Sequence, residues 1–93
     1  MLSKNPVELE KLEGRKRDKE ILRLGMIAEL DAISLYEQLA EATQDEQIKR
    51  VLLDIAKEEK THVGEFLALL LKLDQEQKEE LEKGRKETEE LSG

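Results

Sequence analysis

Cysteine and tryptophan are absent from this chain of 93 residues, which carries one proline, one tyrosine and one phenylalanine. Without a thiol there is no thiolate metal site, no disulfide and no thiol catalysis, and cysteine usage says nothing about redox compartment. With aromatics at 2% and a hydrophobic set of 38%, a chain this short cannot fill a large core by itself. It is expected to bury its apolar stripes against copies of itself. No apolar run is long enough to cross a membrane, and no signal-peptide core stands at the N-terminus. A cytoplasmic site of synthesis is the default.

Charge is abundant: 42% of residues are Asp, Glu, Lys or Arg, and the net charge is −7. An acidic surface argues against nucleic acid and favours cations as partners. The short basic run Arg15-Lys16-Arg17 reads as a solvated helix start rather than a nucleic-acid patch.

The pattern along the chain is helical throughout, so the fold class is all-α in one domain, 1–93. Residues 1–17 read as an N-terminal arm, with Asn5-Pro6 as a helix-start signal and a short amphipathic piece from Val7 to Glu13. A first long helix is expected over 18–43, with the stripe Leu22, Gly25, Glu29, Ala32, Tyr36, Leu39. Thr43-Gln44-Asp45-Glu46 breaks the pattern, either as a Thr43/Glu46 capping box or with Asp45 as N-cap. So short a break sends the chain back antiparallel. The second helix, 45–73, carries Ile48, Leu52, Ile55, Glu59, His62, Phe66, Leu69 and Leu73 on its inner stripe, with Gly64 one position off it, where a neighbouring helix can come close. A last, highly charged helix is expected over 75–91, with Gly84 as a place to fray or kink, and is too polar to stand alone.

The polar exceptions on the stripes are the informative residues. Glu59-Glu-Lys-Thr-His62 contains the only histidine. Residues three apart share a helix face, so Glu59 and His62 can grip one cation together. Glu29 and Glu59 each lie 15 residues from Gln44, so an antiparallel hairpin sets them at one height. Two inward carboxylates with no Lys or Arg on either stripe are costly, and a metal cation resolves the conflict. One chain offers half of a di-iron bundle's ligand set of carboxylates and Glu-x-x-His pairs. Two chains about a two-fold axis complete it, giving two metal ions per dimer, with iron or manganese favoured by the oxygen-rich donors. Tyr36, two turns from Glu29, is a candidate to hold the site by a hydrogen bond or to donate an electron; taken alone, it also reads as core.

With these residues in place, the chain resembles the encapsulated ferritins over about Ile21 to Leu73, and less clearly into the last helix. The resemblance is carried by Ala28-Glu29-Leu30-Asp31-Ala32 with Tyr36, and by Glu58-Glu59-Lys60-Thr61-His62. It looks closest to the ferritin-like domain that some microbes fuse to the front of an encapsulin shell protein. The resemblance implies a ferroxidase, with Fe(II) oxidised by dioxygen at a di-iron site shared by two chains. It implies Glu29, Glu59 and His62 as iron ligands with Tyr36 beside them, a two-hairpin ferritin-like four-helix bundle, a decameric ring of five dimers, and work inside the lumen of an encapsulin nanocompartment that stores the iron. Three features depart from the family. Leu35 stands where a Trp is common, Ala28 replaces an acidic residue of a metal-uptake site, leaving Asp31 as its candidate, and Glu87–Gly93 does not resemble a shell-targeting peptide.

Two other functions fit the same residues. One is a rubrerythrin-like di-iron peroxide reductase, although that chemistry often draws electrons from a cysteine site absent here. The other is a non-enzymatic helical assembly module in which Glu29 and His62 only fix register.

Overall fold

The computed structural model describes residues 13–92, and the Asn5-Pro6 signal and most of the expected arm lie outside them. Three α-helices follow in order, with no strand among the described residues: α1 (Gly14–Ala42), α2 (Glu46–Leu73) and α3 (Gln75–Ser92). The all-α expectation holds. Helix α1 starts earlier than the expected residue 18. Glu13 is extended, Gly14 takes a left-handed φ of 50° at the junction, and the basic run Arg15–Arg17 is already helical. Residues 14–17 therefore belong to the helix rather than to an arm.

Helix α1 has 29 residues and α2 has 28, each a little over 40 Å long at about 1.5 Å per residue. Their antiparallel return is built from side-chain hydrogen bonds. The Thr43 amide donates to the Leu39 carbonyl at 3.2 Å and closes α1. The Asp45 carboxylate accepts from the amides of Gln47 and Ile48 at 2.9 and 3.0 Å, which satisfies two of the orphan donors that open α2. Asp45 is thus the N-cap, and Thr43 instead accepts from the Asp45 amide at 3.2 Å.

The hairpin closes along a line of contact that runs Leu22, Met26, Glu29, Ile33, Tyr36, Ala40 on α1 and Leu52, Ala56, Glu59, Val63, Phe66, Leu70 on α2, all buried or half-buried. Among the described residues only Leu22, Ala40, Ala56 and Leu70 are buried. The expected inner stripes are offset from this line: Leu39, Ile48 and Leu69 are 44%, 51% and 49% exposed, while Ala40, Ala56 and Leu70, outside those stripes, are buried. The reason is physical. Apolar periodicity marks every face that avoids water, and each helix here has apolar residues well beyond the width one neighbouring helix can cover.

Helix α3 leaves the hairpin at Asp74 and meets α2 but not α1. The described residues therefore form a flat shape of 46 × 44 × 19 Å. Asp74 is the joint. Its carboxylate accepts from the Gln77 amide at 3.0 Å, which caps α3, and from Arg23 on α1 at 3.1 Å, with Lys19 at 3.7 Å. Arg15 donates to the Leu73 carbonyl at 3.2 Å, a group that the end of α2 leaves without a helical partner. The basic start of α1 is thus tied to the C-terminal end of α2. Helix α3 continues through Gly84 without interruption.

Candidate metal centre

The hairpin register brings Glu29 of α1 to the level of Glu59 and His62 of α2. One donor atom from each of the three lies within 4.8 Å of the others. His62 Nδ1 stands 3.4 Å from Glu29 Oε2 and 3.4 Å from Glu59 Oε2. Glu59 and His62 are one turn apart on a single helix, so helix geometry fixes their separation. Glu29 reaches them from the opposite helix.

The electrostatics of this arrangement are unbalanced. The Glu29 and Glu59 side chains are only 22% and 19% exposed, and His62 is 44% exposed. Among the described residues no Lys or Arg forms an ion pair with either carboxylate; the nearby Lys60 pairs instead with Glu37 at 3.1 Å. A single imidazole Nδ1 can donate to one carboxylate at a time and leaves the other uncompensated. Two carboxylate oxygens and one imidazole nitrogen are a donor set suited to iron or manganese, and the three residues can hold such an ion without rearranging the helices. The set is open on one side, because three donors do not fill the coordination sphere of such an ion.

The open side continues into an apolar face. On α1, Ile21, Gly25, Ala28, Ala32, Leu35 and Leu39 recur at alternating spacings of four and three residues, and Ile21, Leu35 and Leu39 are about 45% exposed. On α2, His62 falls in a matching row with Ile48, Val51, Ile55 and Leu69, interrupted by Glu58 and Glu65. Ile21 and Leu69 line one shallow depression together with Leu22 and Leu73.

Tyr36 and Asp31 do not join the cluster. Tyr36 lies half-buried two turns along α1 from Glu29 and makes no hydrogen bond among the described residues. Asp31 is two residues past Glu29, about 200° further round the helix at 100° per residue, so it faces away from the triad.

Sequence reasoning missed two features. One is the joint at Leu73 and Asp74, where Arg15 meets the Leu73 carbonyl and Lys19 and Arg23 meet the Asp74 carboxylate. The other is the close approach of Phe66 to Gly25; the close helix contact is there rather than at Gly64, where an added Cβ meets nothing within 4 Å in the chain. A signal for the second exists. Side chains on a helix lean toward its N-terminus, so the only phenylalanine reaches back toward the only glycine on the α1 stripe.

Comparison with known proteins bears on this geometry. The sequence model of the rubrerythrin family matches residues 20–92. A ferritin-like-encapsulin shell fusion protein of Pyrococcus furiosus is 55% identical over 95 residues, covering 100% of this chain and 28% of that protein. An encapsulin nanocompartment cargo protein of Myxococcus xanthus, EncC, is 43% identical over 68 residues, covering 69% of this chain and 52% of that one. The chain therefore spans about a quarter to a half of the length of these relatives. A crystal structure of the encapsulated ferritin domain from Pyrococcus furiosus superposes with a TM-score of 0.87 at 54% identity, covering 100% of this chain and 97% of that one. The all-helical architecture, the family match and these relatives agree: the chain has a ferritin-like fold and belongs to the rubrerythrin family, among the encapsulated ferritins.

Proposed function

We propose that the chain is a ferroxidase that works as a dimer, with the apolar faces of two hairpins meeting across a two-fold axis so that two Glu29, two Glu59 and two His62 surround two Fe(II) ions. The single observation that carries this reading is the convergence of Glu29, Glu59 and His62 with no Lys or Arg paired to either carboxylate among the described residues. The exposed apolar rows beside the triad support the dimer, since only four hydrophobic residues are buried among the described ones and apolar faces are left uncovered.

The residues divide the work. Glu59 and His62 present an oxygen and a nitrogen from one helical turn, which prepays the geometry of binding. Glu29 supplies negative charge from the other helix. Two Fe(II) bound there would together give two electrons to one dioxygen, which with two protons would leave as hydrogen peroxide, and the carboxylates would favour the more highly charged Fe(III). His62 is 44% exposed, which supports completion of the ligand set by a second chain. The relatives described as an encapsulin fusion and an encapsulin cargo support a role within an encapsulin nanocompartment, where Fe(III) leaves for storage. Assembly of five such dimers into a ring is part of the same proposal.

The test is anaerobic native mass spectrometry with and without Fe(II), followed by addition of oxidant. The expected result is two iron ions per pair of chains, an even number of subunits, and a ferric absorbance that rises with dioxygen. Fast turnover of peroxide with inertness toward dioxygen would instead indicate a peroxide reductase. Normal association with no iron uptake would indicate an assembly module.

A further inference from the structure

The tip of the Phe66 ring rests on the α1 backbone at Gly25. A Cβ placed on Gly25 would stand 3.1 Å from Cζ of that ring, and 3.2 and 3.3 Å from Cε1 and Cε2. Ordinary carbon contact lies at about 3.5–4.0 Å, so any side chain here forces the ring or the helix to move by a few tenths of an ångström. A Cβ at Gly84 meets nothing within 4 Å. Gly25 is the helical glycine whose missing side chain the interhelix contact uses.

The place of this contact is as informative as its tightness. Gly25 lies four residues before Glu29, and Phe66 lies four residues after His62. In an antiparallel hairpin both steps run the same way, one turn toward the open end. The Gly25–Phe66 contact is therefore the packing layer next to the ligand layer. It also lies on the side of the seam that carries His62, because Gly25 is about 40° round α1 from Glu29 and Phe66 about 40° round α2 from His62.

We propose that Gly25 and Phe66 are positioning residues for the cluster: their contact sets the α1–α2 separation beside the ligands, and so the distance from Glu29 to Glu59 and His62. The inference rests on the reading of the cluster as a metal site. Glu59 and His62 keep their separation whatever α1 does, because they share a helix. Glu29 has no such guarantee, and the helix spacing decides where its carboxylate lies. Metal donors tolerate misplacement of only about 0.2 Å, which is less than the displacement a Cβ at Gly25 demands.

The test uses Co(II) as the probe, read by its visible absorption bands, which report donor number and geometry without turnover. Gly25→Ala is expected to weaken Co(II) binding about tenfold and to shift those bands, with far-UV circular dichroism and native mass unchanged. Adding Phe66→Leu to that variant should return affinity and bands toward the parent, since leucine ends short of the position of Cζ. Gly84→Ala should leave Co(II) binding as it was. Gly25→Ala with parental affinity and spectrum overturns the inference. Should Gly25→Ala fail to fold, Phe66→Leu alone decides: weaker binding supports the spacer, and unchanged binding overturns it. If the parent itself binds neither Co(II) nor Fe(II), the metal reading fails first and this inference falls with it, a result distinct from a parent that binds and a variant that binds equally well.

Discussion

The hairpin and α3 are helices of one chain held together by opposite means. In the hairpin, stability comes from contact between helices: Leu22, Ala40, Ala56 and Leu70 lose nearly all access to water across the seam. In α3 no residue is buried, and Leu91 is 90% exposed. That helix is sustained along its own length instead. Arg85 pairs with Glu82 at 2.7 Å and with Glu89 one turn further, and the Thr88 hydroxyl donates to the Gly84 carbonyl at 2.9 Å. Exposed pairs of this kind are weak and screened by salt. The contrast shows where chemistry can reside. A half-buried, unpaired carboxylate persists only where packing holds two helices in register, and α3 has no such support.

The comparison predicts where substitutions matter most. The largest effect is expected in the seam: Glu59→Ala or His62→Ala should abolish rapid Fe(II) oxidation, and Glu29→Ala should act similarly, while far-UV circular dichroism stays helical. Oxidation at the parental rate in either of the first two variants would remove the site assignment. Next come the uncovered faces. Leu35→Glu or Leu39→Glu should break association, since burying a leucine side chain contributes about 1.5–3 kcal/mol, whereas Leu91→Glu should leave the mass unchanged. Sedimentation distinguishes the two classes, and equal behaviour at both places would erase the contrast between hairpin and α3. A smaller effect is expected at the turn, where Asp45→Ala removes the cap of α2 and should cost about 1 kcal/mol of stability, measured by thermal or denaturant unfolding.

The smallest effect concerns the joint between the two regions. The Asp74 carboxyl is held below its ordinary value of 3.8, chiefly by the hydrogen bond from the Gln77 amide, with desolvation acting against it and the charges of Lys19 and Arg23 adding to it. A carboxyl depressed in the folded state stabilises that state above the unfolded value, and the contribution disappears as pH falls through the folded one. The link between α1 and the start of α3 should thus be intact at neutral pH and lost only in acid below 3.8, as pH falls through the depressed folded-state value. Spin labels on α1 and α3 should show a broadened distance distribution in acid, and Asp74→Ala should show it already at pH 7. An unchanged distribution in both would show that α3 is held by something other than this carboxylate.

Much of the arrangement could be read from residues alone. The break at Thr43–Glu46 announces a tight return, and equal counting from it places Glu29 opposite Glu59, because rise per residue is the same in both helices. The Glu59/His62 pair follows from spacing within one helix. The inner stripe was less legible: Leu39, Ile48 and Leu69 have the right periodicity for the seam and lie beside it, since the pattern does not say which apolar face meets which neighbour. The start of α1 was missed because Gly14 and an uncapped Glu13 leave little local signal.

Sequence by itself determined the helices, the turn and the opposition of Glu29 to Glu59 and His62, all of which depend on short-range spacing and backbone hydrogen bonding. Only the tertiary structure decided that Phe66 lies against Gly25, that Arg15, Lys19 and Arg23 gather at the α2–α3 joint, and that the triad opens onto an uncovered apolar face. The first two of those features join residues 41 to 58 positions apart in the chain. Their distances depend on how side chains of particular size lean and fill space between helices, a quantity that no local pattern encodes.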